Sequence, residues 1–187
     1  MVAGRAAWGD VGGDPIVSHQ RKSKIVTEKD SWETPKWLFD LLDQEFHFQV
    51  DAAATKENAK LPAYFEDLDA VPTLKFDWYC KGAWERFFLN PPYSQIAVFM
   101  KKAYEESQKG AIVVCLIPAR TDTKYWHDYV MKAQEIRFIK GRLKFGDSKT
   151  GAPSPSVVVI FDIHRHTLGG PYPDIGPTIE RPRKVPV

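Results

Sequence analysis

The sequence predicts an α/β fold: a mostly parallel central sheet with helices on both faces, finished by an antiparallel terminal hairpin. Three observations carry this. Ala111–Ile117 is a short, continuous apolar run, the pattern of a central strand covered on both faces. Helix-periodic segments alternate with strand-like ones along the first two thirds of the chain. Two further strand patterns, Glu135–Ile139 and Val157–Asp162, are separated by a loop rich in Gly, Ser, Lys and Pro.

A chain of 187 residues is one domain's worth and long enough for a substantial core. A net charge of +2 excludes a basic nucleic-acid coat, so any nucleic-acid contact has to come from a local patch. Cys80 and Cys115 stand singly, which fits neither a disulfide scaffold nor a zinc site. The most apolar run is too short to span a bilayer, and the first 25 residues lack the apolar centre of a signal peptide. These features predict a soluble intracellular protein without membrane contact.

Residues 1–28, Gly-rich and then basic at His19–Lys24, read as a disordered arm; 29–166 form the domain, and 167–187 a Pro-rich basic tail. Gly9, Gly12 and Gly13 make no dinucleotide fingerprint, because no strand precedes them. Thr34 followed by Pro35 predicts a helix start, a capping hydroxyl and then proline at the first helical position. Trp37, Leu38, Leu41 and Leu42 give that helix its apolar face. Phe46, Phe48 and Val50 then alternate as a strand, with Asp51 at its carboxyl end, the edge where open α/β sheets bind ligands. An acid there pairs with a cationic ligand or caps a helix. Residues 55–85 have no long period and leave room for two short strands.

Arg86–Leu89 is the next strand pattern, and Asn90-Pro91-Pro92-Tyr93-Ser94 leaves it. Ser94 is expected to cap a helix whose core positions are Ile96, Phe99, Met100, Ala103 and Tyr104. Pro118–Asp122 leaves the central strand on the same edge as Asn90, placing Arg120 as a phosphate clamp and Asp122 or Thr123 as a cap. Tyr125, Trp126, Tyr129 and Val130 predict a further helix. Gly141–Phe145 is read as continuing the Glu135–Ile139 strand into a long hairpin, whose tip carries Arg142, Lys144 and Lys149 as a nucleic-acid-facing arm. Asp162, His164 and His166 share one strand face, but at a frayed end they read as polar surface, and no metal is expected.

The stretch from Asn90 to Tyr93 carries the chemistry. Two prolines stiffen the loop, so the Asn90 side-chain oxygen and the Pro91 carbonyl present two acceptors to one spot. A planar amino group donates to both, while Tyr93 offers a face for stacking, worth roughly 1–3 kcal/mol per base. The plain alternative is a Pro-Pro turn between strand and helix.

Asn-Pro-Pro-Tyr resembles the catalytic motif of amino-group methyltransferases, and more of the chain is similar to the phage-type DNA adenine-N6 methyltransferases. The matching stretches are Asp30–Pro35 with Leu38-Phe39, Phe48–Ala53, Asn90–Ser94, Ile117–Thr121, Arg137–Phe145 and Ala152–Ser156, spanning about residues 30–162. The resemblance implies a Rossmann-like class I methyltransferase fold, S-adenosylmethionine as cofactor and double-stranded DNA as partner. It implies Asn90, Pro91, Pro92 and Tyr93 as the catalytic set, and Trp32, Thr34 and Pro35 as part of the cofactor pocket; Asp51 with Ala52 at the end of the first strand, Asp77 before the Asn90 strand, and Asn90 itself complete the expected cofactor side. Ser94, Arg120, Arg142, Lys144 and Lys149 are the expected nucleic-acid contacts. One departure stands out: where many methyltransferases have a Gly-rich turn after the first strand, this chain has Ala52-Ala53-Ala54. Rival acceptors are cytosine N4, RNA adenine or protein glutamine, and a non-catalytic DNA-binding module is the rival from another class. With no room for an inserted recognition domain, specificity is expected to be short or relaxed. For a phage-encoded member the resemblance implies work in the host cytoplasm, self-protection against restriction being the usual role.

Overall fold

The computed structural model describes residues 33–66, 72–146, 150–165 and 173–182. The expectations for the arm of residues 1–28, for Trp32, Lys149 and His166 lie outside them. Among the described residues the strands are β1 (Val50–Ala54), β2 (Tyr64–Glu66), β3 (Arg86–Leu89), β4 (Ile112–Pro118), β5 (Glu135–Phe138), β6 (Ser156–Phe161) and β7 (Asp174–Ile175). The helices are α1 (Lys36–Phe46), α2 (Pro72–Lys75), α3 (Ile96–Gln108) and α4 (Lys124–Asp128), with a 3-10 turn at Val130–Lys132. The strands form one sheet in the order β2-β1-β3-β4-β6-β5-β7. Only β6 runs against the rest: it is antiparallel to β4 and β5, and every other pairing is parallel. None of the described helices is long and apolar enough to cross a membrane.

Alternation along the strands divides the core into two layers. Val113, Cys115 and Ile117 of β4 join Phe87 and Leu89 of β3 and Val157, Val159 and Phe161 of β6 under α3 and α4. Val114, Leu116, Phe88, Val158 and Ile160 face the other way, against Leu38, Phe39, Leu42 and Phe46 of α1. Phe39 meets Phe88 edge-on at 5.2 Å between centroids, fixing α1 over β3.

Several boundaries differ from the sequence expectation, each for a local reason. Pro35 is the N-cap of α1, and no side chain caps that helix; the Thr34 hydroxyl is engaged elsewhere. Leu41 is exposed and Phe39 buried in its place. α1 ends at Phe46, where His47 takes a left-handed conformation and Asp43 accepts the Phe48 N–H. The chain is therefore not extended until Val50, and Asp51 is the second residue of β1 rather than its last. The alanine run is the strand itself, and the turn follows it at Thr55. Among the described residues between 55 and 85 there is one strand, β2, with the short α2 and a Cys80–Trp84 bridge. α3 starts after Gln95, not Ser94, because the Gln95 N–H first closes a turn on the Pro92 carbonyl.

Past β5 the left-handed Gly141 turns the chain, so 141–145 is not strand. Leu143 and Phe145 bury their side chains, and the Ala152 N–H bonds the Leu143 carbonyl, holding both sides of the loop together. The tail is not free either. β7 pairs with β5, Ile179 bridges Ile139 and is buried, and together they cover what would be an open sheet edge.

The amino edge of the sheet is tied by satisfied charges. Buried Glu106 accepts the backbone N–H groups of Trp78 and Tyr79 at 2.9 and 3.0 Å and pairs with Lys102 and Lys109. Arg137 of β5 grips Glu45 of α1 through two hydrogen bonds, at 2.6 and 2.7 Å, and also bonds Glu135.

Candidate active site

β1 pairs with β2 on one side and β3 on the other, so the order of the strands reverses between β1 and β3. In open α/β sheets the crevice beyond the carboxyl ends at such a reversal is where ligands sit. Asn90, the first residue after β3, opens into it.

Asn90 Nδ2 donates to Thr34 Oγ1 at 3.1 Å, joining two segments 56 residues apart. The bond explains why Thr34, almost fully buried, does not cap α1. It also fixes the rotation of the amide, with Nδ2 on the Thr34 side and Oδ1 turned away from it. Pro91 is buried, Pro92 is half-buried and anchors the turn into α3, and Tyr93 is half-buried beside them. Ser94 is exposed in the same turn. Burial pushes the Tyr93 phenol up to about 12, so it is neutral at any working pH. Arg120, beyond β4, Tyr125 at the start of α4 and Ser156 at the start of β6 all lie close enough to act on that phenol.

Asp51 is 3% exposed and lies level with Phe88, two residues short of Asn90. Its Oδ2 accepts the Lys60 N–H at 3.0 Å, while Oδ1 is buried with no hydrogen bond of ordinary geometry. Burial drives the carboxyl up to about 6, against the pull of the Lys60 and Ala53 N–H groups. Lys60 reaches back to Glu33 with its ammonium at 2.6 Å. Thr34 and Pro35 line a cavity of about 570 Å³ together with Glu33, Lys36, Lys60, Lys140, Arg142, Lys144 and Arg181. The cavity lining carries more cations than acids, and Asp51 is not part of it; the buried Asp51 carboxylate is a separate feature, with the chemistry to meet a positive group.

Two sequence-predicted cofactor residues fall away from the crevice. Ala52 points into the α3-side core, on the opposite face from Asp51, because successive strand residues alternate. Asp77 is at the other edge of the sheet, where its exposed carboxylate pairs with Lys109 just past the end of α3. Of the nucleic-acid residues, Arg120 and Lys144 are exposed at the carboxyl edge. Arg142 is there too, but its guanidinium donates to the Pro153 carbonyl at 2.7 Å and so braces the loop. Lys60, Arg181, Tyr125 and Ser156 were not singled out in sequence. A lone lysine in an irregular stretch, an arginine in a tail, a helix-face tyrosine and a serine at a strand start carry no local signal of a site.

Residues 21–175 match the family model described as DNA N-6-adenine-methyltransferase (Dam). The chain is 30% identical over 145 residues to the DNA N-6-adenine-methyltransferase of Haemophilus phage HP1 (strain HP1c1), covering 73% of this chain and 80% of that relative. It is also 30% identical over 116 residues to the protein of the same description from Escherichia phage T1, covering 62% of this chain and 47% of that relative.

Proposed function

This chain belongs to the DNA N-6-adenine-methyltransferase family, and from that premise we propose that it moves a methyl group from S-adenosylmethionine to the N6 amine of adenine in double-stranded DNA. S-Adenosylmethionine, when bound, supplies an electrophilic methyl on a sulfonium.

The exocyclic amine of adenine is a weak nucleophile because its lone pair is delocalised into the ring. Asn90 Oδ1 and the Pro91 carbonyl accept its two N–H groups, which favours a pyramidal nitrogen with its lone pair directed at the methyl. Thr34 does the positioning: by holding Nδ2 it keeps Oδ1 on the acceptor side. That contact is the single observation that most supports this reading, since it holds the Asn90 amide in place at the mouth of β3. Tyr93 stacks on the extruded base and offsets part of the few kcal/mol that flipping costs. After attack the surplus proton leaves to water.

On the cofactor side, Asp51 Oδ1 receives the positive end of the ligand, and Thr34 and Pro35 wall it. Arg120, Arg142 and Lys144 contact phosphates. Recognition is short or relaxed, and the protein works in the cytoplasm of the bacterial host. Expression in a methylation-free host, with sequencing of modified bases, tests the reading: N6-methyladenine at short, frequent sites supports it, and unmodified DNA from a host holding folded protein sinks it.

A further inference from the structure

Three buried side-chain atoms among the described residues have no hydrogen-bond partner: Asp51 Oδ1, Tyr125 Oη and Ser156 Oγ. Asp51 faces the cofactor side. The other two belong to nothing assigned so far; they lie at the same sheet edge as Tyr93 and near enough to act on its phenol.

They come from different elements that meet at one place. Ser156 opens β6 and pairs in register with Pro118, the last residue of β4. The Ala119 N–H bonds the Pro155 carbonyl, which pins the start of β6 to the loop leaving β4. Tyr125 is the second residue of α4, at the far end of that same loop. Tyr125 is 6% exposed and Ser156 2%. Burial raises the Tyr125 phenol above its ordinary value, against the pull of the Thr123 hydroxyl, which comes near it without the geometry of a hydrogen bond; Tyr125 stays a neutral hydroxyl, able to donate and to accept. Ser156 Oγ approaches Tyr93 closely enough to act on its phenol, yet without the geometry of a hydrogen bond.

A buried hydroxyl left unpaired is destabilising, and folded proteins keep few of them. Two beside one stacking aromatic is the arrangement expected where an incoming flat, polar ligand completes the bonding. We propose that the Tyr125 and Ser156 hydroxyls read the edge of the flipped base, hydrogen-bonding its ring nitrogens while Asn90 and Pro91 hold its amine. This rests on the methyltransferase reading above and adds specificity-determining residues to it. A pocket that hydrogen-bonds a substrate atom discriminates strongly against an analogue lacking it, because its own buried groups are then stranded.

Two measurements on the full chain test this, with Tyr125→Phe and Ser156→Ala. The first is thermal unfolding without DNA. Deleting an orphan hydroxyl removes a burden on the apo fold, so each variant should melt at or above the wild-type temperature; a fall in both overturns the proposal, since it means the hydroxyls already bond within the protein. The second is methyl transfer to duplexes with adenine, 7-deazaadenine or 1-deazaadenine at the target position. Wild type should prefer adenine over at least one analogue by about tenfold or more in kcat/KM. In at least one of the two variants that preference should shrink several-fold, with cofactor affinity unchanged by calorimetry. Preferences identical to wild type in both variants overturn the proposal. Failure of wild type to methylate adenine at all overturns it together with the function it rests on, whereas preserved methylation with unmoved preferences defeats the base-edge assignment alone.

Discussion

Asp51→Asn isolates the electrostatic strain in the site. Burial raises the Asp51 carboxyl from 3.8 to about 6. At about 1.36 kcal/mol per pKa unit, that shift corresponds to roughly 3 kcal/mol. Because the folded value lies above the unfolded one, Asp51 favours the folded state in full below about pH 4, and that contribution is lost as pH rises through about 6. Above that, the fold carries a buried carboxylate with one oxygen unanswered. Asparagine keeps the shape and can still accept the Lys60 N–H, but it does not titrate. The stability of wild type minus that of the variant should therefore fall by roughly 3 kcal/mol between about pH 4 and pH 7.5, because the other titrating groups cancel in the difference. Urea unfolding of both proteins across that range measures it. A difference that stays flat refutes the argument, and means Oδ1 is solvated or paired in solution. Calorimetry with S-adenosylmethionine at pH 8 gives the complement: losing a charge-assisted contact is typically worth about 1.5–3 kcal/mol, or one to two decades of affinity, so a stabilised variant should bind the cofactor more weakly.

Thr34→Val should lower kcat by about tenfold by releasing the Asn90 amide, the equivalent of one hydrogen bond of about 1.4 kcal/mol. Thr34→Ser should restore most of it, and equal rates for the two would remove Thr34 from the mechanism. Asn90→Ala and Tyr93→Ala should abolish most turnover while cofactor affinity stays within a few fold, read by separate transfer and binding assays; wild-type turnover in both sinks the catalytic assignment. DNA affinity should fall steeply with salt, and Lys144→Ala should reduce the log–log slope by about one. Arg142→Ala should do the same and also lower the melting temperature, because its guanidinium braces the loop through Pro153.

The parts of the fold legible in the sequence are those whose pattern is set by burial on both faces. β4 and β6 are continuous apolar runs because each has a helix layer above and below. The Asn90 motif could be placed at a strand mouth because proline cannot continue the ladder. What was not legible depended on contacts from elsewhere. Thr34 before Pro35 has the local chemistry of a cap, and only the return of β3 beneath it turns the hydroxyl towards Asn90. β7 is two residues long among prolines, with no period to detect, and it exists because β5 offers an unpaired edge. Asp51 was expected at a strand end because Phe46, Phe48 and Val50 alternate like a strand, whereas the local Asp43 and His47 cap delays β1 to Val50. Asp77 sat well by sequence position but lies at the wrong edge, where α3 ends and Lys109 waits.

The contrast between the two edges is what makes the site readable. At the amino edge, burial of charge is answered: Glu106 receives two backbone N–H groups and two lysines, and Arg137 spreads over Glu45 and Glu135. Such groups are tied off, so nothing further can bind them without breaking a bond already made. At the carboxyl edge the same kind of burial is answered only in part: Asp51 Oδ1, Tyr125 Oη and Ser156 Oγ have no hydrogen bond of ordinary geometry. If poor packing were the cause, the orphans would be scattered through the core; instead the three found among the described residues lie towards the carboxyl edge, Asp51 level with Phe88, Ser156 with Pro118 and Tyr125 at the start of α4. On the function proposed above, two tasks separate: Asp51 on the β1 side would meet a positive ligand, and the two hydroxyls, on α4 and β6, a polar, uncharged one. A methyl donor and a base acceptor differ in just that respect, and the Asn90 loop, leaving β3 between them, is where the two would have to meet.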